Sequence, residues 1–378
     1  MRSGTRAHAG VDRVGRLTDE LSKREVDVLL VGTAVNLRYL TGFTGSHGLA
    51  LLMAGGAEES SAVRHRHRFF TDFRYATQSA EQVPEEFERE IVTGDLLEPA
   101  ARSLGAAGGR LGFDEASLSV GEHTRLRELL GGGWELVPCA GAVERLRAVK
   151  DAGELACIRA ACELADEALR GVLEDGVVGR TEREVAIDLE LRMRRLGAEA
   201  PSFPSIVAAG AHAAMPHAEP CEEQIPSDVL LTIDWGARHE GYCSDCTRTY
   251  ATGEGIPAQA REVYELVLDA QEQALVAVEA GPSGRDLDRV ARAVIERAGH
   301  GEHFGHGLGH GVGMEVHEGP RLSRTAGDEP LLAGNVVTVE PGVYLPGRLG
   351  VRIEDLVVAM AGGREILTGL PKELTFVS

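Results

Sequence analysis

The sequence reads Val229-Leu-Leu-Thr-Ile-Asp-Trp-Gly236 at a point where an apolar run ends in an acid. A second run of this kind is Asn335-Val-Val-Thr-Val-Glu-Pro-Gly342. Short apolar runs that are rich in β-branched residues and bounded by Gly or Pro predict buried strands. In each case another acid follows after a hairpin-sized loop, which gives the set Asp234, Asp245, Glu340 and Glu354.

Four carboxylates at the ends of buried strands need a counter-charge, because an unpaired buried carboxylate is energetically costly. Two divalent cations balance four carboxylates, and one imidazole completes a ligand set that such ions accept. His310 lies between the two acidic pairs in chain order. Since a pair of divalent cations activates water, these residues predict a two-metal hydrolase. The predicted metal ligands are Asp234, Asp245, His310, Glu340 and Glu354.

The chain has 378 residues, of which 43% are hydrophobic, and this length is enough for two domains with sizeable cores. We place the boundary in Arg145-Leu-Arg-Ala-Val-Lys-Asp151, which gives domains of 1–148 and 149–378. In the first domain we predict strands at 26–31, 48–53 and 68–72 and helices at 11–23 and 75–83. Alternating helices and strands indicate an α/β domain with a mixed sheet. We interpret the basic tract 64–68 as a hairpin loop.

The second domain shows a weak internal duplication. An amphipathic helix is predicted from Ala152 to Glu174, and the next begins where Thr181 and Glu184 can form a capping box. Another helix pair, 257–280 and 284–298, precedes the strands that carry the remaining ligands. Helix, helix and acid-bearing strands therefore occur twice, which predicts an antiparallel sheet with helices packed outside it.

The net charge is −20, and most of the negative charge lies in residues 149–378. An acidic second domain argues against nucleic acid and anionic membranes as partners. No segment contains 18 consecutive apolar residues, so the sequence predicts no transmembrane helix. Because residues 1–10 lack an apolar signal core, we expect a cytoplasmic protein.

A run of histidines and glycines spans Gly305-His-Gly-Leu-Gly-His-Gly-Val-Gly313. So many glycines disfavour a helix, and no HExxH motif is present, so a metalloprotease helix of that type is not predicted. We interpret the run as backbone that must approach the metals closely.

These stretches resemble the pita-bread metallopeptidases, and in particular the group of aminopeptidase P and prolidase. The resemblance is dense from about residue 149 onward and rests on five motifs in the order of the family: TIDWGA at 232–237, YCSDCTRT at 242–249, GHGLGHGVGMEVHEGP at 305–320, TVEPGVY at 338–344 and GVRIED at 350–355. It implies a creatinase-like α/β domain followed by a pita-bread catalytic domain.

The resemblance also implies roles for individual residues. Asp234 and Asp245 would hold one ion, His310 and Glu340 the other, and Asp245 with Glu354 would bridge both. Glu340 would in addition carry the proton to the leaving nitrogen.

Four further residues match positions that bind substrate in the family. His306 would contact the proline side, His217 would lie near the leaving group, and His317 would stabilise the tetrahedral intermediate. Arg352 would lie near the substrate, or alternatively would pair structurally with Glu354 or Asp355. His212 matches no family position, and we expect it on the surface.

The function implied by the resemblance is that of an Xaa-Pro aminopeptidase, with Xaa-Pro dipeptidase (prolidase) as the alternative. The stretches 36–46 and 71–78 favour the aminopeptidase. The expected cofactor is a pair of divalent ions, with Mn²⁺ preferred by oxygen-rich ligation and Co²⁺, Zn²⁺ or Fe²⁺ as other candidates. The expected partners are peptides with Pro at the second position and a second copy of the chain. A degenerate, non-catalytic binding module of this fold is disfavoured by the complete ligand set.

Overall fold

The computed structural model describes residues 12–54, 66–106 and 108–378, which form two compact units. The first unit ends at Arg147 and the second runs from Ala148 to Ser378. Our expectations for residues 1–11, and for the first two residues of the basic tract 64–68, fall outside the described ranges. Within those ranges, no helix combines the length and the apolar character needed to cross a bilayer.

The first unit is a six-stranded mixed sheet with helices. Its sheet order is β4-β3-β2-β1-β5-β6, and β2 runs antiparallel to both of its neighbours while the other pairings are parallel. The strands are β1 Val28–Val31, β2 Gly48–Met53, β3 His67–Asp72, β4 Phe87–Val92, β5 Gly109–Phe113 and β6 Trp134–Pro138. The helices are α1 Arg13–Lys23, α2 Ala34–Thr41, α3 Ala76–Gln82, α4 Leu97–Leu104, α5 Val120–Leu130 and α6 Ala142–Ala148.

Two pairs of helices organise the second unit. They are α7 Ala152–Glu174, α8 Glu182–Leu196, α9 Ala258–Ala277 and α10 Gly284–Arg297. The side chain of Thr181 accepts a hydrogen bond from the backbone N–H of Glu184, and the carboxylate of Glu184 accepts one from the backbone N–H of Thr181, so the expected capping box starts α8. Asp151 and Glu154 form an equivalent capping box at the start of α7.

The strands of the second unit pair antiparallel throughout their ladders. They form the orders β11-β10-β7, β12-β9-β8, β14-β13-β15-β18-β19 and β16-β17. Their bounds are β7 Ala200–Pro201, β8 Ile206–Ala209, β9 Leu230–Trp235, β10 Ala237–His239, β11 Tyr242–Cys243, β12 Cys246–Ala251, β13 Gly309–Gly311, β14 Glu318–Leu322, β15 Val336–Val339, β16 Gly342–Leu345, β17 Leu349–Arg352, β18 Asp355–Met360 and β19 Gly363–Ile366.

Each helix pair covers one group of strands. Leu169 of α7 and Leu189 of α8 share a buried cluster with Ile233 of β9. In the second cluster, Val267 of α9 packs with Val337 of β15. The predicted combination of a mixed α/β unit with an antiparallel unit flanked by helices is therefore confirmed.

Candidate metal centre

The structure brings the five predicted metal ligands to one place in the second unit, where they line a single cavity of about 440 Å³. Two strand pairings explain this. Asp234 lies opposite Thr247 in the β9–β12 ladder, and Val339 lies opposite Asp355 in the β15–β18 ladder. The five occupy strand ends or short strands: Asp234 in β9, Asp245 just before β12, His310 in β13, Glu340 just after β15, and Glu354 between β17 and β18.

The donor atoms are close enough to share cations. One ligand atom from each of Asp234, Asp245 and Glu354 lies within 4.8 Å of the others. His310 Nε2 lies 3.6 Å from Asp245 Oδ2 and 3.3 Å from Glu340 Oε1. His310 Nδ1 lies 3.1 Å from the carbonyl oxygen of Gly311, so a proton on Nδ1 leaves Nε2 as the free ligand atom.

Asp245 and Glu354 hold their charges at an energetic cost. Burial, with the negative charges of Glu354 and Asp234, raises the pKa of Asp245 well above its usual range. Burial and the charges of Glu340 and Asp234 do the same to the pKa of Glu354. Asp234 Oδ1 is also buried without a hydrogen-bond partner in the described part of the chain. Divalent cations would satisfy this oxygen and offset the repulsion, so these residues fit a metal pair.

Glu340 differs from the other acids of the centre. Burial alone would raise its pKa, but the hydrogen bond and positive charge of His310 outweigh that effect and lower the pKa to about 2. Burial likewise opposes a charge on His310, and the contact with Glu340 outweighs it and raises the pKa of His310. Without cations, therefore, these contacts favour the protonated imidazole, and metal binding would displace that proton.

Threonine hydroxyls orient two of the carboxylates. Thr247 donates to Glu354 Oε2 at 2.6 Å, and Thr338 donates to Glu340 Oε1 at 3.0 Å. Our sequence analysis did not name these residues. Each lies two positions from a ligand along a strand, Asp245 for Thr247 and Glu340 for Thr338, so that the side chains share one face. The alternation of a strand was therefore the signal that could have found them.

Arg352 is buried within the centre and contacts Asp234 rather than the predicted alternatives. Its Nη2 donates to Asp234 Oδ2 at 2.7 Å, and its Nη1 donates to the hydroxyl of Tyr344 at 2.9 Å. Asp355 pairs instead with Arg248, at 2.8 Å. The structural alternative for Arg352, a pairing with Glu354 or Asp355, is therefore replaced by a pairing with Asp234, and its role toward the substrate stays a prediction.

Tyr344 connects Arg352 to His306. Its oxygen lies 2.8 Å from His306 Nε2, and His306 Nδ1 lies 2.8 Å from the carbonyl oxygen of Gly307. Because Nδ1 donates to that carbonyl, Nε2 accepts from the tyrosine hydroxyl. Burial lowers the pKa of His306, which keeps its ring neutral at pH 7 and consistent with this arrangement.

Substitution of Tyr344 by phenylalanine is expected to lower kcat/KM about tenfold, because His306 loses a buried hydrogen-bond donor that fixes its ring. The measurement is steady-state hydrolysis of a peptide with Pro at the second position, the substrate class that the resemblance implies. Tyr264→Phe is a matched control, since the buried hydroxyl of Tyr264 donates to Lys372 O at 2.6 Å outside the cavity lining. An equal loss in both variants would contradict a specific role for Tyr344.

The other predicted substrate residues also line the cavity. His217 and His317 are exposed side chains there, and the rings of His317 and His310 lie 4.2 Å apart between centroids. Burial and the charge of His310 lower the pKa of His317. The structure thus places His217, His306, His317 and Arg352 around one cavity with the four acids and the imidazole of the centre. Phe203 and Pro204 add an apolar wall that no sequence motif indicated.

His212, which we expected on the surface, is half-buried. Its side chain is 19% exposed, and its Nδ1 lies 2.7 Å from the carboxylate of Glu182, which is buried at the start of α8. The sequence separation of 30 residues concealed this contact.

The glycines of the run 305–313 allow a close approach of the backbone, as we expected, but to neighbouring strands rather than to the metals. A Cβ on Gly309 would lie 2.1 Å from Thr338 O, and one on Gly311 would lie 2.1 Å from Gly319 O. The close approach that we expected therefore exists, but its partner is the backbone of neighbouring strands. His310 is held between two such contacts.

Two family patterns cover nearly the whole chain. Metallopeptidase family M24 matches residues 156–361, and the Creatinase/Prolidase N-terminal domain matches residues 13–149. An uncharacterized peptidase of Bacillus subtilis, YqhT, is 39% identical over 96% of this chain and 99% of its own. The Xaa-Pro dipeptidase of Pyrococcus horikoshii is 34% identical over 96% of this chain and 98% of its own.

Solved structures agree with these relatives. The Xaa-Pro dipeptidase from Bacillus anthracis superposes with a TM-score of 0.89 at 36% identity, covering 97% of this chain and 99% of that one. The X-Pro aminopeptidase from Thermotoga maritima superposes with a TM-score of 0.85 at 35% identity, covering 97% and 100%. With its M24 pattern extending over all five candidate ligands, the chain belongs to metallopeptidase family M24.

Proposed function

We propose that the protein is an Xaa-Pro dipeptidase that hydrolyses the bond before proline with two divalent cations. The carrying observation is the cavity in which five metal-ligand side chains meet four substrate-binding candidates. Relatives named Xaa-Pro dipeptidase support the dipeptide substrate. Of the two functions expected from the sequence, the alternative, dipeptidase, therefore has more support than the aminopeptidase.

The proposed metal ligands are those predicted from the sequence, and Mn²⁺ is the preferred metal. Apart from His310 Nε2, the donors are carboxylate oxygens, and such oxygen-rich sites suit Mn²⁺ better than softer ions. When bound, the cations activate the attacking water and polarise the scissile carbonyl.

The chain's own residues then handle protons and the substrate. Glu340 is a carboxylate that lines the cavity beside the other ligands, and we assign it the proton that passes from water to the leaving nitrogen. His317 and His217, exposed at the cavity, face the scissile group and the leaving group respectively. His306, oriented by Tyr344, closes the side that receives the pyrrolidine ring.

Arg321 supplies a reason for preferring a dipeptide. It lies directly opposite His310 in the β13–β14 pair, and opposite residues of an antiparallel pair point to the same side. Its positive charge contributes to the lowered pKa of His317. An exposed guanidinium on the strand that pairs with the strand of His310 can bind the free carboxylate of a dipeptide, whereas the second residue of a longer peptide carries no such charge.

An Xaa-Pro aminopeptidase remains the second candidate. The observation that favours it is the superposition with the X-Pro aminopeptidase of Thermotoga maritima over nearly all of both chains. The sequence stretches 36–46 and 71–78 favoured this function as well.

The deciding experiment compares Ala-Pro, Ala-Pro-amide, Ala-Pro-Ala and Ala-Ala with the Mn²⁺-loaded enzyme. We expect Ala-Pro to be cleaved fastest and the two substrates without a carboxylate on proline to be at least tenfold slower. Arg321→Met should lower kcat/KM for Ala-Pro about tenfold, the effect of one charge-assisted contact, and should leave Ala-Pro-amide unchanged. Arg324→Met, which removes a neighbouring exposed guanidinium, is the control.

Other outcomes would reassign the enzyme. Faster cleavage of Ala-Pro-Ala than of Ala-Pro would identify an Xaa-Pro aminopeptidase. Equal rates for Ala-Pro and Ala-Ala would exclude proline specificity and leave an M24 peptidase of broader preference.

A further inference from the structure

A second group of metal-ligand side chains lies in the same unit, at the start of α8. Glu182 Oε2 is 2.7 Å from His212 Nδ1 and 3.1 Å from Cys221 Sγ. The other oxygen, Oε1, accepts a hydrogen bond from the backbone of Ala209 at 2.8 Å. The side chain of Glu182 is only 3% exposed, so the carboxylate has a fixed position. A helix, a strand end and a loop thus converge on one carboxyl group.

The donor set differs in kind from that of the dinuclear centre. It offers one imidazole nitrogen, one sulfur and one carboxylate oxygen, all within 4.8 Å of one another. Four-coordinate Zn²⁺ binds these three atom types at about 2.0–2.3 Å, which sets its ligands roughly 3.3–3.8 Å apart. The observed contacts of 2.7 and 3.1 Å need to lengthen only slightly to admit such an ion.

The group of Glu182, His212 and Cys221 lies next to a segment that lines the cavity of the metal centre. His212 and Cys221 lie at the two ends of a short segment, and residues 216–220 between them all line the cavity of the metal centre. Among these is His217. An ion bound at both ends of this segment would hold it against α8.

We propose that Glu182, His212 and Cys221 bind one Zn²⁺ or similar thiophilic divalent cation, apart from the dinuclear centre, and that this ion fixes the segment carrying His217. Binding releases the thiol proton of Cys221 and places the imidazole proton of His212 on Nε2, since Nδ1 becomes the ligand atom. This proposal does not depend on which peptide the enzyme cleaves.

Cobalt(II) is the probe, because a thiolate bound to Co²⁺ absorbs in the near ultraviolet while oxygen and nitrogen ligands do not give this band. The carboxylates and imidazole of the dinuclear centre therefore contribute nothing to the signal. Titration of the metal-free protein with Co²⁺ is expected to develop the band to one thiolate-bound ion per chain. Cys221→Ser should abolish the band, and Cys139→Ser, a buried thiol of the first unit, should retain it.

Two further measurements test the proposal independently of Cys221→Ser. His212→Asn should also lose the band and one ion of Zn²⁺ per chain by elemental analysis, which serves if Cys221→Ser does not fold. Zn²⁺ should slow amide hydrogen exchange in residues 213–220 in the natural protein and not in His212→Asn. If no band develops, or if Cys221→Ser keeps both band and metal content, the group is a hydrogen-bonded clasp without metal and the proposal is overturned.

Discussion

Replacement of Glu340 by glutamine is expected to lower kcat on Ala-Pro by about a thousandfold or more, with the fold intact. General acid–base groups contribute typically about 10²–10⁴-fold, and this residue is also a proposed metal ligand. Glutamine retains an oxygen for Thr338, which donates to Glu340 Oε1 at 3.0 Å, so local packing should survive. It cannot hold a proton, and it removes one negative charge from the centre.

The control for this substitution is Glu296→Gln, which makes the same replacement of a carboxylate by an amide at an exposed position of α10. Circular dichroism should match among both variants and the natural protein, which would show that the fold is intact. Turnover of Glu340→Gln within a factor of ten of the natural enzyme would show that another residue carries the proton.

Removal of divalent metal is expected to abolish hydrolysis and to lower the unfolding temperature by about 5–10 °C near pH 7.5. A ligand at a hundredfold excess over its Kd stabilises the folded state by about 2.7 kcal/mol. For a unit of the size of Ala148–Ser378, which holds the centre, each kcal/mol corresponds to roughly 2–4 °C. The measurement is thermal unfolding of chelated, dialysed protein before and after addition of Mn²⁺.

The effect of chelation should depend on pH in a defined direction. Asp245 and Glu354 have folded-state pKa values above the ordinary 3.8 and 4.5, so they stabilise the fold only while they are protonated. That contribution is complete below the ordinary pKa values and is lost as pH rises through the raised ones. The metal-free protein should therefore lose stability from mildly acidic to neutral pH, while added cations restore it near neutrality.

A charge-removing variant separates this explanation from general metal effects. Metal-free Glu354→Gln should unfold at a higher temperature than the metal-free natural protein near pH 7.5, because one of the repelling charges is gone. Its stabilisation by Mn²⁺ should be smaller. Identical unfolding temperatures with and without metal in the natural protein would contradict a dinuclear centre in these residues.

Local sequence patterns were sufficient to predict several helices and strands and to select the five candidate ligands. The helix predicted at Ala152–Glu174 has those bounds in the structure, since a capping box and an apolar stripe are properties of neighbouring residues. The acids at the ends of β9 and β15 could be predicted because each ends a short apolar run. Their number and chemistry then indicated cations, through the cost of burying charge without a counter-ion.

Contacts between distant segments were decided only by tertiary structure. No helix or strand periodicity relates Arg352 to Asp234, Tyr344 to His306 or Glu182 to His212, because each pair joins different strands, loops or helices. A guanidinium, hydroxyl or imidazole can serve many partners, and its environment selects one by burial and distance. The sequence by itself thus determined which residue types the site contains. Tertiary structure alone decided which partner each guanidinium, hydroxyl and imidazole contacts.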